Sequence, residues 1–275
     1  SAASLKAFSS TAIGALSVGQ FSGLSSEDVG ALTTAQVTAL STAIFTNVTT
    51  TQLDGMTSGQ IKALTVAQVS ALTANSVASL DTTQVRALAA THITALSTVQ
   101  FGSLTSTQFA EFSQQQIAGI TATQLAHMTS TQIGELNASA LKAFSTTAIA
   151  GLTTTQFAGL SGTDLAALST SQIARLSSAI FASMTTTQVS GLTSTQIKAL
   201  VPSQISALTT NAVNALSITQ IKGLEAVDIA ALSTTQVTYL TTTQLDSMTA
   251  TQAGAFTGAN LSQLTNAQFH ALFGG

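Results

Sequence analysis

The chain has 275 residues, ten acidic and seven basic groups for a net charge of −3, no Cys, no Trp, one Tyr and one Pro. Charged residues are 6% and hydrophobic residues 45%, against about 25% charged in ordinary soluble domains, so uncharged Ser and Thr must carry the solubility. The acidic balance leaves no basic footprint for nucleic acid, and the absence of Cys removes disulfides, Cys-based metal sites and thiol catalysis. Mean hydropathy is high at +0.42, yet no apolar run approaches the ~18 residues that a membrane span needs. The N-terminal stretch, SAASLKAFSS, contains no signal-type apolar segment and no initiator Met. The expectation is a fragment or a processed piece.

A repeat of eight positions runs through the chain. From Phe8, every eighth residue is Leu, Met, Phe, Ile or Val, through Leu16, Leu24 and Val48 to Leu264 and Leu272, with no insertion or deletion. With this residue as position 1, residues 8–271 form 33 octads of consensus Leu-(Ser/Thr)-x-x-Gln-(Ile/Val/Phe/Leu)-x-(Ala/Gly). Position 2 is Ser or Thr in 28 octads, position 5 is Gln in 21, and position 8 is Ala, Gly or Ser in 26.

Two longer patterns overlie the octad. Residues 4–9, Ser-Leu-Lys-Ala-Phe-Ser, return as Ala140-Leu141-Lys142-Ala143-Phe144-Ser145, and Gln60–Leu64 returns as Gln196–Leu200, each at an offset of seventeen octads. The chain therefore reads as two tandem copies, 1–136 and 137–272, with no linker between them. Gln is also strict in alternate octads, from Gln20, Gln36 and Gln52 onward, while the intervening octads often lack it, with Ala12, Asp28, Ile44, Ser76, His92 and Ala140 in its place. That alternation predicts two octads per coil.

Ser/Thr at position 2 and Gln three positions later form a capping box, in which hydroxyl and amide each satisfy an orphan donor of a helix N-terminus. Position 2 becomes the N-cap and positions 3 to 8 the helix. In chain order this predicts helices over 10–15, 18–23, 26–31, 34–39 and so on, once per octad, to 266–271. Pro202 falls at the first helical position, where its missing N–H costs nothing. Lys6, Lys62, Arg86, Lys142, Lys198 and Lys222 fall at position 7 and Arg175 at position 8, while Glu27, Asp28, Asp81, Asp164, Glu225 and Asp228 fall at positions 2, 4 or 5. This sorting matches the helix dipole. Helices so short are unstable alone and must be held by stacked neighbours. The predicted fold is all-α, an α-solenoid with one short capped helix per octad. The alternative is a β-solenoid, favoured by the Thr, Val and Ile content but without period-2 alternation.

No catalytic, cofactor or metal residues are nominated. His92, His127 and His270 share neither spacing nor octad position, which reads as capping or surface histidine and not as a metal site. Asp28, Asp164 and Asp228 stand at the third helical position, where a carboxylate is a routine dipole partner. No G-x-S-x-G elbow, P-loop or G-x-G-x-x-G is present. Asn47, Asn137 and Asn260 match N-x-(Ser/Thr), as expected by chance in such a composition. The expectation is a non-enzyme without cofactor.

The phrase Leu200-Val201-Pro202-Ser203-Gln204-Ile205 resembles the helix start of TAL-effector DNA-binding repeats over the length of that phrase. The longer period and the base-reading loop of that family are missing, which implies shared capping chemistry only. Over its whole length the chain resembles octad arrays of the form L-T-x-x-Q-V-x-A in very large bacterial secreted or surface proteins of adhesin-like type. The resemblance implies an extracellular or cell-surface structural role: a rod, spacer or self-associating filament segment whose partners are neighbouring repeats or further copies. Two other readings stand beside it. One is a solenoid that binds a glycan or protein partner. The other is an ice-binding array built on Thr rows such as Thr49-Thr50-Thr51 and Thr241-Thr242-Thr243.

Overall fold

The computed structural model describes residues 2–274. It is all-α: among the described residues, short helices recur at the octad period from Ala2–Ala7 to Asn266–Phe273 and no strand is present. The β-solenoid alternative is thereby set aside. The helix Thr34–Ala39 and the helix Pro202–Ala207 coincide with the spans predicted from the capping box, and others, such as Ser10–Gly14, stop one residue earlier.

The box itself closes as expected. Thr33, with φ −74° and ψ 158°, is extended and accepts from the Gln36 N–H through its side chain, while Gln36 Oε1 accepts from the Thr33 N–H at 2.8 Å. Leu40, with φ −61° and ψ 141°, ends that helix in an extended conformation. Two extended residues, Leu40 and the next N-cap Ser41 with φ −68° and ψ 152°, thus reset the chain before the following helix. Pro202 stands at the start of its helix behind the extended Val201.

Positions 1 and 6 supply the core. Ile197 is 0% and Leu200 6% exposed, and the same pair recurs as Val37 with Leu40, Phe101 with Leu104 and Ile229 with Leu232. Each such side chain contributes roughly 1.5–3 kcal/mol on burial, which is what so short a helix lacks by itself.

The chain forms two compact units. One comprises Ser1–Met128 with Glu135–Phe144, and the other Thr129–Gly134 with Ser145–Gly275. Within the first, Ser10–Gly14 packs on Thr34–Ala39 and Ser58–Ala63 on Thr82–Ala87; within the second, Gly162–Ala167 packs on Thr186–Gly191 and Thr242–Asp246 on Asn266–Phe273. In every case the stacked helices are three octads apart. This corrects the prediction of two octads per coil. With three helices per layer, six large apolar side chains share one interior, whereas two helices back to back would leave one flank of each open to water. The Gln alternation does not mark a face of the stack, since helices three octads apart have opposite parity. Nothing in the structure explains why alternate octads are the stricter ones.

Small residues at position 8 permit the close approach of layers. A Cβ added to Gly55 would collide with the backbone oxygen of Ser26, and one added to Gly191, its equivalent seventeen octads on, with the backbone of Gly162.

Candidate functional site

The dominant polar feature is a ladder of buried position-5 amides. Gln116 is 2% exposed. Its Oε1 accepts from the Ser113 N–H at 2.8 Å, while its Nε2 donates to the Val85 and Leu88 carbonyls, both at 2.8 Å. These acceptors lie at the C-terminal end of the helix four octads earlier. The pattern repeats from Gln36 (to Leu5 and Phe8) to Gln124 (to Ile93 and Leu96) in the first unit. In the second it runs from Gln188 (to Phe157 and Leu160) to Gln252 (to Ile221 and Leu224). One side chain thus satisfies an orphan N–H at one helix start and two orphan carbonyls at another helix end. The capping half was legible in the sequence. The bridging half was not, because nothing local names an acceptor four helices away.

Position 5 also takes apolar side chains, as at the buried Ile44, Ala148, Ile180 and Ala212, but polar substitutes there follow the geometry of the amide. Asn260, one methylene shorter, still donates from Nδ2 to the Leu232 carbonyl at 3.1 Å. His92 also fits the slot. Its Nδ1 accepts from the Ala89 N–H at 3.1 Å and its Nε2–H donates to the Leu64 carbonyl at 2.9 Å. Burial holds its pKa below the ordinary histidine value, opposed by the bond to Leu64. Because Nδ1 is an acceptor here, the neutral Nε2–H tautomer is the form that fits.

The other singled-out residues are dispersed. His127 lies exposed with Nδ1 2.8 Å from the Thr123 carbonyl, and His270 is exposed on the helix Asn266–Phe273. Asp28 accepts from the Ser25 hydroxyl at 2.8 Å and the Ser25 N–H at 3.2 Å, and the hydroxyl bond above all lowers its pKa. Asp164 accepts from the Ser161 hydroxyl and N–H in the same way. Asn137 serves as an N-cap through Oδ1, and Asn47 donates to the Ala43 carbonyl of its own helix. Among the described residues, no group of three or more His, Asp or Glu is placed to hold a metal ion, and no helix is long and apolar enough to cross a membrane.

An open groove of about 570 Å³ crosses the first unit, lined among others by Ser58, Lys62, Thr83, Arg86, Ala89 and Ser113. Ala89, which stands where most octads carry a Ser or Thr N-cap, and Ala90 are part of its lining. The Arg86 guanidinium is held beside it by Glu111, Nε donating to Oε2 at 2.6 Å.

The chain is similar to the ALTTAQ repeat in four stretches, residues 15–42, 77–114, 162–194 and 221–258, together just under half of its length. Residues 31–36 spell that phrase, Ala-Leu-Thr-Thr-Ala-Gln. They span the helix end at Leu32, the N-cap Thr33 and the bridging amide Gln36, so the phrase describes the joint between octads. No curated protein matches the chain.

Proposed function

We infer that this array, similar to ALTTAQ repeats, is a non-enzymatic structural module: a rod, spacer or self-associating segment of a large bacterial protein, acting at the cell surface or outside the cell. The observation that carries the reading is the Gln ladder. Wherever Gln stands buried at position 5 with its amide bonds given, from Gln36 to Gln124 and from Gln188 to Gln252, it holds one octad to another, so the recurring chemistry of the chain serves its own continuation. A sparsely charged surface of hydroxyls favours lateral association of copies, because little electrostatic repulsion keeps them apart. The experiment is small-angle scattering on chains of one, two and three tandem copies of the seventeen-octad unit, with light scattering across a concentration series. A rigid array gives a maximum dimension that rises linearly with copy number, and self-association gives mass that rises with concentration. Dimensions that grow as the square root of copy number would exclude a rod or spacer.

The groove over Ala89 favours a second reading, a binding module for an acidic glycan or peptide. Lys62 and Arg86 would meet the anion, and the Ser58, Thr83 and Ser113 hydroxyls would meet its polar groups. Titration with acidic and neutral oligosaccharides tests this reading. Binding lost in Lys62→Ala, with unchanged thermal stability, would favour it over the rod.

A further inference from the structure

Two octads break the slot rule together, and they are equivalent. Residues 88–95 and 224–231 are seventeen octads apart; each lacks a hydroxyl at its N-cap, Ala89 and Glu225, and each places a titratable group at position 5, His92 and Asp228. Neither N-cap makes a side-chain bond to its helix. In the first octad both ring nitrogens of His92 are engaged, Nδ1 by the Ala89 N–H and Nε2 by the Leu64 carbonyl. In the second, Asp228 Oδ2 accepts from the Glu225 N–H at 3.0 Å, but Oδ1 is buried without a hydrogen-bond partner in a residue 1% exposed.

What Oδ1 should meet is fixed by the repeat. His92 donates to the Leu64 carbonyl, and the residue seventeen octads after Leu64 is Leu200. Asn260 donates to Leu232, the position-1 residue that ends the helix four octads before its own; for Asp228 the corresponding position-1 residue is again Leu200. An ionised carboxylate presents an acceptor to that acceptor; a neutral carboxylic acid matches Asn260 in shape and donor placement. We propose that Asp228 occupies its slot as the neutral acid, with Oδ1–H donating to the Leu200 carbonyl, so that the equivalent octads of the two units are acid-responsive joints of opposite sense.

The surroundings support this. The helices packed on Ala226–Ala230 are Pro202–Ala207 and Ala250–Ala253, neither of which carries a titratable side chain. The helix Ser194–Lys198 that leads to Leu200 carries Lys198, which is exposed. Burial raises the Asp228 pKa, the Glu225 N–H bond opposes the rise, and the Glu225 carboxylate adds to it. Asp28, at the same octad position but bonded to a Ser hydroxyl, is shifted the other way. Around His92, the packed helices Val66–Ala71 and Gln114–Ala118 carry no titratable group, and Lys62 on Ser58–Ala63 is exposed.

The two signs differ. For Asp228 the folded pKa lies above the ordinary value of 3.8. Its contribution is therefore complete below that value and is lost as pH rises through the folded pKa. For His92 the folded pKa lies below 6.5. Its contribution is complete above that value and is lost as pH falls through the folded pKa, because protonated Nδ1 can no longer accept from the Ala89 N–H. Acidification therefore tightens the second unit at residues 225–232 and loosens the first at residues 89–96.

The test is hydrogen exchange followed by mass spectrometry on the intact chain between pH 4 and 8, corrected for the intrinsic pH dependence of exchange, with ¹³C NMR of the Asp228 carboxyl. In the window between its two pKa values, each joint's opening equilibrium should change by up to about tenfold per pH unit, in opposite directions. Asp228→Asn should protect residues 225–232 more than wild type at pH 7, and the difference should shrink by up to about tenfold per pH unit below the folded pKa until it vanishes near pH 4. His92→Gln should remove the acid-induced loosening at residues 89–96. A carboxyl resonance titrating at or below 3.8, or an Asp228→Asn effect independent of pH, would overturn the proposal. So would wild-type protection at pH 7 that rises on addition of Na⁺, K⁺ or Ca²⁺ and is absent in Asp228→Asn, since a cation would then be the occupant.

Discussion

Removing a single ladder amide tests whether the bridge between layers, and not the local capping box, holds the array. Gln116→Ala deletes one acceptor and two donor contacts, leaving the Ser113 N–H and the Val85 and Leu88 carbonyls without their side-chain partner in a buried setting. At about 1 kcal/mol per hydrogen bond, more where a buried group is left unsatisfied, the loss is about 3 kcal/mol. For a unit of this size that corresponds to roughly 10 °C in melting temperature. The control is Gln20, which is exposed and whose Oε1 accepts from the Ser17 N–H at 2.9 Å as in any other box. Gln20→Ala removes only a cap contact, worth about 0.5–1 kcal/mol. Thermal unfolding by far-UV circular dichroism, with urea titration as a second measure, compares the two. Equal shifts within about 2 °C would refute the bridge as a source of stability and reduce position 5 to capping alone.

Four further outcomes are expected. Ile197→Asp should unfold the second unit or lower its melting point by more than about 10 °C, since it buries an unpaired charge, whereas the neighbouring exposed Lys198→Ala should stay within about 0.5 kcal/mol by urea titration. Gly191→Ala and Gly55→Ala should each destabilise despite the better helix propensity of Ala, because the new methyl meets backbone, with a cost of about 1–3 kcal/mol for overpacking read from the same titration. Glu111→Gln should change stability by less than about 1 kcal/mol, because its pairing with Arg86 is at the surface, a result readable as a melting point within a few degrees of wild type. Far-UV circular dichroism of the whole chain should show the two minima of helix, and a single β-type minimum would contradict the architecture.

Much of the architecture is local chemistry and could be read from residues in order. Ser or Thr followed three positions later by Gln states where a helix begins. A large apolar residue every eighth position states where it ends, and one at position 6 states which face it buries. Those signals act within a single octad and do not depend on what lies across the core, which is why Thr34–Ala39 and Pro202–Ala207 were predicted to the residue. The count of octads per layer is different in kind. It depends on how two extended residues redirect one helix relative to the next and on how many large side chains a shared interior must hold, and neither is encoded in the alternation of Gln. The acceptors of the amide ladder, on the helix four octads back, likewise exist only once layers of three helices are stacked. The same holds for the candidate functional features. His92, Asp228 and Asn260 look like scattered exceptions along the chain, and the groove over Ala89 looks like two small residues. Only the stacked structure shows that the three side chains occupy one kind of buried slot, because the hydrogen-bond demand they answer comes from carbonyls of a helix four octads away.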